Sequence, residues 1–294
     1  MVAATTHAED VLQPAIAARP LDRIVVGVDF SEVSLAAAQW VGRHLAPDAA
    51  VTLVHVIEPP PSPNVPSSGS GWTPGLPRRW HTRIESLRGA LHGLSGIVGG
   101  TRTTVEIRVG DPAVQLAACA DMADADLVVV GGNAVSRAAP RHETATTDRL
   151  LRRLARPGLV ARNAQAAPTT VLAAVADGDE EPVLAVARMV GAPSAARVTT
   201  LRLADARSLG SRARAEYPPR ETRIGIEPRD AGTRRQQART IIEVARKRRA
   251  DVIVVGRDVF APGNDDDAAL MLARTAPCSV LVVASAYGRG EVTA

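Results

Sequence analysis

The sequence repeats itself. Apolar, β-branched runs follow one another in the first half and return in the same order in the second. The first set is IVVGVD (24–29), VTLVHV (51–56), VEIRV (105–109), DLVVVG (126–131) and GLVA (158–161). The second is TVLAAV (170–175), VTTLRL (198–203), RIGIE (223–227), DVIVVG (251–256) and SVLVV (279–283). A repeat on this scale means two copies of one domain, not a solenoid of small units. The 294 residues give each copy about 145, near the size at which a domain buries its own core.

The runs are continuous rather than alternating, as in strands covered on both faces. Helical spacing separates them. Residues 34–45 carry Leu35, Ala38, Val41 and Leu45 on one face; residues 113–122 carry Val114, Leu116, Ala117 and Ala120; residues 148–154 carry Leu150, Leu151 and Leu154. Strand–helix alternation predicts α/β domains with a doubly wound parallel sheet and right-handed crossovers. Ligands in such sheets bind beyond the carboxyl ends of the strands. The expected layout is an N-terminal tail over 1–20, a first domain over 21–163, a linker near 164–168, a second domain over 168–286 and a C-terminal tail over 287–294. Residues 59–79, rich in Pro, Ser and Gly, cannot form a helix or a central strand. They read either as an unstructured insertion or as a lid carrying Trp72 and Trp80 at the ligand-binding edge.

Composition removes several functions. Aromatic residues are 2% of the chain, so Val, Leu, Ile and Ala must fill the core. Lys247 is the only lysine, which leaves no other amine for a Schiff base or for gripping phosphate. Two cysteines, Cys119 and Cys278, make no disulfide framework and fit a reducing, cytoplasmic setting. Both read as small buried hydrophobes rather than nucleophiles. No run reaches membrane-spanning length, and the N-terminus, with Glu9 and Asp10, lacks a secretory layout. Cysteines and histidines show no zinc spacing. There is no G-x-S-x-G elbow and no Walker A ending after GGNAV. The SGGxDS and HxGH loops of nucleotide-consuming enzymes are absent too. Residues 233–249 form a basic helical stretch with Ala238, Ile241, Ile242 and Ala245 on one face. It reads as a sheet-covering helix with an arginine-rich solvent face. The alternative is weak contact with nucleic acid or an acidic partner, and the lack of interleaved aromatics argues against single-strand stacking.

Several longer segments together resemble the universal stress protein family in its tandem form. They are RIVVGVDFSEVSLAAAQW, TLVHVIEPP, GDPAVQLAACA and ADADLVVVGG in the first copy, and ADVIVVGRD and APCSVLVV in the second. The resemblance implies two tandem flavodoxin-like domains and a role in stress-linked regulation. It also implies ATP or another adenine nucleotide as the candidate ligand. Members that bind ATP carry G-x2-G-x9-G-[S/T] after the fourth strand, where glycines turn backbone amides toward phosphate. In the first copy Gly131 keeps the first glycine, but Ala134, Thr144 and Ala145 take the later positions. Thr144 is β-branched and poorly suited to φ > 0. Thr146 and Thr147 are offset hydroxyls for phosphate, or N-caps for a helix over 148–154. Arg137, Arg141 and His142 are either phosphate contacts or solvated loop charges.

Asp29 and Val56 match the positions that face the adenine in the family. Asp29 also fits a purely local role, capping the next helix with Ser31. In the second copy Gly256 remains, while Val259 and the run Asp265, Asp266, Asp267 stand in the loop. Three carboxylates there oppose a triphosphate. Asp177 is the displaced counterpart of Asp29, and Leu203 that of Val56. The site residues expected in the first copy are therefore Asp29, Val56, Gly131, Ala134, Thr144 and Thr146, with no catalytic residue and no metal. The resulting expectation is a non-enzymatic regulatory protein with a degenerate nucleotide site in the first domain, a lost one in the second, and a protein partner. The alternative is an ATP-binding sensor that uses the first domain. The resemblance also implies that the last strand is an edge that pairs between domains; the apolar strand 279–283 would be exposed if left unpaired, so it is expected to pack near 158–161 as an internal pseudo-dimer. Association of whole chains into a homodimer is left open by the sequence.

Overall fold

The computed structural model describes residues 20–58, 78–98, 102–132, 141–175, 180–203, 221–226, 234–257 and 268–284. All ten apolar runs form strands. In the first half these are β1 (Arg23–Gly27), β2 (Ala50–Ile57), β3 (Thr103–Val109), β4 (Leu127–Gly131) and β5 (Gly158–Ala161). In the second they are β6 (Thr170–Val175), β7 (Arg197–Leu203), β8 (Glu221–Ile226), β9 (Val252–Gly256) and β10 (Ser279–Val283). The helices are α1 (Glu32–Trp40), α2 (Arg78–Val98), α3 (Pro112–Met122), α4 (Arg141–Arg153), α5 (Glu180–Gly191), α6 (Arg234–Arg248) and α7 (Ala268–Thr275).

The strands make one sheet in the order β3-β2-β1-β4-β5-β10-β9-β6-β7-β8. Each half thus repeats the order 3-2-1-4-5. Neighbours are parallel within each half; β5 and β10 meet antiparallel, with Val160 opposite Val280 and Leu159 opposite Leu281. The pairing expected between 158–161 and 279–283 is present, and it hides two edges that would otherwise offer unpaired backbone groups.

Side chains along each strand alternate between two cores. Ile24 and Val26 join a layer with α1, α2 and α5, whereas Val25 joins a layer with α3, α4, α6 and α7. Both layers are apolar, which is why the strands read as continuous runs. A shared device anchors both halves. The Asp126 carboxylate accepts from the backbone N–H groups of Asp22 and Arg23, each at 2.9 Å. Asp251 does the same for Thr169 and Thr170 at 2.7 and 3.0 Å.

Two helices went unread in the sequence, α2 and α5. In α2 Leu91, Leu94 and Val98 are buried, but Gly89, Gly93 and Gly96 weaken the helical signal. The residues of 59–79 lie outside the described ones up to 77, and α2 takes the last two. The helix expected over 148–154 starts at Arg141 instead. Thr144, Ala145, Thr146 and Thr147 therefore lie within α4, and the threonines do not cap it. No Gly or Pro occurs from 141 to 153, so nothing stops the helix running back to the residue after Pro140. The basic helix α6 covers the sheet as expected: Ala238, Ile241 and Ala245 are buried, and Arg235, Arg246 and Arg249 are exposed.

Candidate functional site

Strand order reverses between β1 and β4 in the first half, and connections leave the sheet on opposite faces there. That opens a crevice beyond the carboxyl ends. The crevice holds a cleft of about 290 Å³. Asp29 and Ser31 line it from the β1–α1 turn, Val56 from β2, Gly131 and Gly132 from β4, and Thr146 and Thr147 from α4.

The β1–α1 turn is tightly organised. Ser31 caps α1 by accepting from the Ser34 N–H at 3.3 Å. Asp29 accepts from the Ser31 N–H at 2.9 Å and from the Ser31 hydroxyl at 2.6 Å. Shielding by the cleft wall raises the Asp29 pKa, but the bonds from Ser31, Ser34 and the backbone outweigh it and hold the carboxyl below its ordinary value. Asp29 thus does its local structural work and still faces the cleft; the two readings of this residue are compatible. Between them Phe30 takes φ of 64° and its ring meets that of His55 at 4.9 Å between centroids. His55 Nδ1 lies 2.7 Å from the Val28 carbonyl oxygen. A carbonyl only accepts, so Nδ1 carries the hydrogen.

The β4 end is governed by close packing. A Cβ on Gly131 would stand 2.7 Å from the Ser34 nitrogen, and one on Gly132 would stand 2.3 Å from Val160 Cγ1. These glycines let β4 approach α1 and β5. The Gly132 N–H is already given to the Ala161 carbonyl at 3.0 Å.

The far end of the cleft is basic, which the sequence did not reveal. Arg162 follows β5 and is buried. Its guanidinium donates to the Ala273 carbonyl at the end of α7, where the helix dipole is negative. Burial lowers its pKa from the usual value, against a smaller opposing effect of Cys278. Arg274 comes from α7, in the second half, and its guanidinium pairs with Asp148 of α4. Arg162, Arg274 and Asp148 all line the first-half cleft.

Residues 20–162 match the universal stress protein family. Through its first half, the chain belongs to that family. A universal stress protein from Archaeoglobus fulgidus is similar over 90% of this chain and 96% of its own, at 12% identity and a TM-score of 0.60. A functionally unknown protein, PA1789 of Pseudomonas aeruginosa, covers 90% and 93%, at 14% identity and a TM-score of 0.57. At these identities the likeness speaks for the fold, over both halves. A further universal stress protein, solved in complex with cAMP, covers 49% of this chain and 98% of its own, at 22% identity and a TM-score of 0.36. No curated protein matches the sequence.

Within this universal stress protein fold, Asp29, Val56, Gly131 and Thr146 come together around one cleft. Thr144 lies in the first turns of α4, and Ala134 lies outside the described residues, as do Asp177, Val259 and Asp265–Asp267. For Leu203 only the strand backbone is described. Arg162, Arg274 and Asp148 are the lining residues that sequence reasoning missed. The second half departs at the position matching Gly132, which is Arg257. The Arg257 N–H donates to the Val283 carbonyl at 2.8 Å, as Gly132 does to Ala161. Its guanidinium turns away to the end of α4, donating to the Leu151, Arg152 and Leu154 carbonyls at 2.8, 3.2 and 3.0 Å. Both cysteines are buried, and burial pushes each thiol up to about 11. No group of three or more His, Cys, Asp or Glu side chains converges on a metal position among the described residues. No described helix is long and apolar enough to cross a membrane.

Proposed function

We propose that this chain is a non-enzymatic regulatory universal stress protein with one small-molecule cleft, in its first half, and that the second half serves as its structural partner. One observation carries the reading. The family's phosphate turn would occupy 144–146, yet those residues are helical within α4. A helix leaves only its first four amides unspent, here 141–144, so those of 145 and 146 go to its own carbonyls and not to a phosphate. The cleft is also poor in chemistry. The Ser31 oxygen is engaged as a helix cap, and Asp29, held below its ordinary pKa, is a weak base. His55 spends Nδ1 on a backbone carbonyl.

A second reading, an adenine-nucleotide sensor, is favoured by the lining of the same cleft. Asp29 and Val56 line it from the β1 and β2 side and two guanidinium groups from the β5 side. Calorimetric titration with ATP and magnesium separates the two. On the first reading the natural protein holds ATP weakly, and the triple variant Ala134→Gly, Thr144→Gly, Ala145→Ser gains affinity. Tight ATP binding by the natural protein rejects it in favour of the second.

A further inference from the structure

We infer that the second half supplies part of the first half's site: Arg274, alongside Arg162, forms the anion-binding end of the cleft, and its ion pair with Asp148 is the contact a ligand phosphate displaces. This rests on the adenine-nucleotide reading and goes beyond it, because it moves the anion grip from loop amides to guanidinium groups that straddle the two halves.

Three observations carry it. First, the loss at 144–146 and the gain at 162 and 274 concern one cleft. Helical backbone stands where amides would face the anion, and two arginines line the same space. A guanidinium presents paired donors that fit phosphate oxygens. Second, Arg274 is accessible. Its side chain is 37% exposed, against 12% for Asp148, so Arg274 is the more accessible member of the pair. Third, Asp148 is an incomplete partner. Its Oδ1 is buried without a hydrogen-bond partner among the described residues. A buried acceptor left bare is costly, so Asp148 competes with a phosphate for Arg274, and neutralising Asp148 favours the phosphate.

Charge sets the probe. The anion the arginines would meet is a phosphate on an adenine nucleotide, and AMP carries one. AMP is therefore the ligand of choice, and adenosine its control.

Calorimetry on the full chain tests the inference with adenosine and AMP, on the natural protein, Arg274→Gln and Asp148→Asn. Arg274→Gln should weaken AMP by about tenfold or more, the usual scale for a charge-assisted bond, and leave adenosine unchanged. Asp148→Asn removes the internal competitor and should tighten AMP severalfold. It also keeps the test alive if Arg274→Gln does not fold. AMP affinity unmoved by either substitution overturns the inference while leaving the nucleotide reading in place. Failure of the natural protein to bind both adenosine and AMP overturns the two together.

Discussion

The two halves share a frame and differ at its mouth. Asp126 and Asp251 tie the starts of β1 and β6 with the same pair of backbone bonds. Strand order is 3-2-1-4-5 in each. Just past the fourth strand they part: Gly132 in one, Arg257 in the other. Glycine leaves room beside Val160 and keeps the crevice open. Arginine at the equivalent place reaches over the junction and clamps the end of α4. The equivalent position thus borders a cleft in one half and carries a structural clamp in the other.

This contrast can be attacked in order of expected effect. The largest is at the junction that makes the halves one unit. Leu281 is wholly buried opposite Leu159, and Leu281→Ala should cost about 2–5 kcal/mol, read as a lower urea midpoint. A loss under 0.5 kcal/mol, on the order of a surface change, would mean that β5 and β10 do not share a core. Next is the clamp. Arg257→Ala removes a charged donor from three carbonyls and should cost about 1–3 kcal/mol, with the urea slope unchanged. If stability is unaltered, Arg257 is a bystander and the contrast with Gly132 loses its meaning.

The smallest effect concerns acid. Asp29 has a folded pKa below its ordinary value of 3.8. Its contribution is therefore present above 3.8 and lost as pH falls through the folded value. Asp29→Asn should flatten that part of the acid limb while leaving the midpoint at pH 7 to 8 limited to the lost hydrogen bonding. An acid limb identical in both proteins would show that Asp29 is not held by the Ser31 turn in solution.

Much of this was legible beforehand, for a local reason. Strands such as 24–27 and 252–256 announce themselves because both faces are covered, so no polar residue interrupts them. The pseudo-dimer followed from the family resemblance together with an apolar edge that had to be hidden. Asp29, Val56 and Gly131 could be placed because they match family positions at the ends of strands that were already evident. The start of α4 is ambiguous in the sequence because Thr146 and Thr147 are good caps, while the absence of any helix breaker from 141 onward lets the helix begin earlier. Arg162 and Arg274 were beyond reach: among more than thirty Lys and Arg residues, nothing local marks these two.

The amino-acid order by itself fixed the two copies, their strands, several of their helices and an apolar last strand that needs cover. These depend on apolar spacing, which acts over a few residues. Only the tertiary structure decided that Arg162 meets Ala273, 111 positions away, and that Arg274 meets Asp148 across the junction. The antiparallel pairing of β5 with β10 swings α7 alongside α4. A contact set by how two sheets join leaves no periodic trace in either segment.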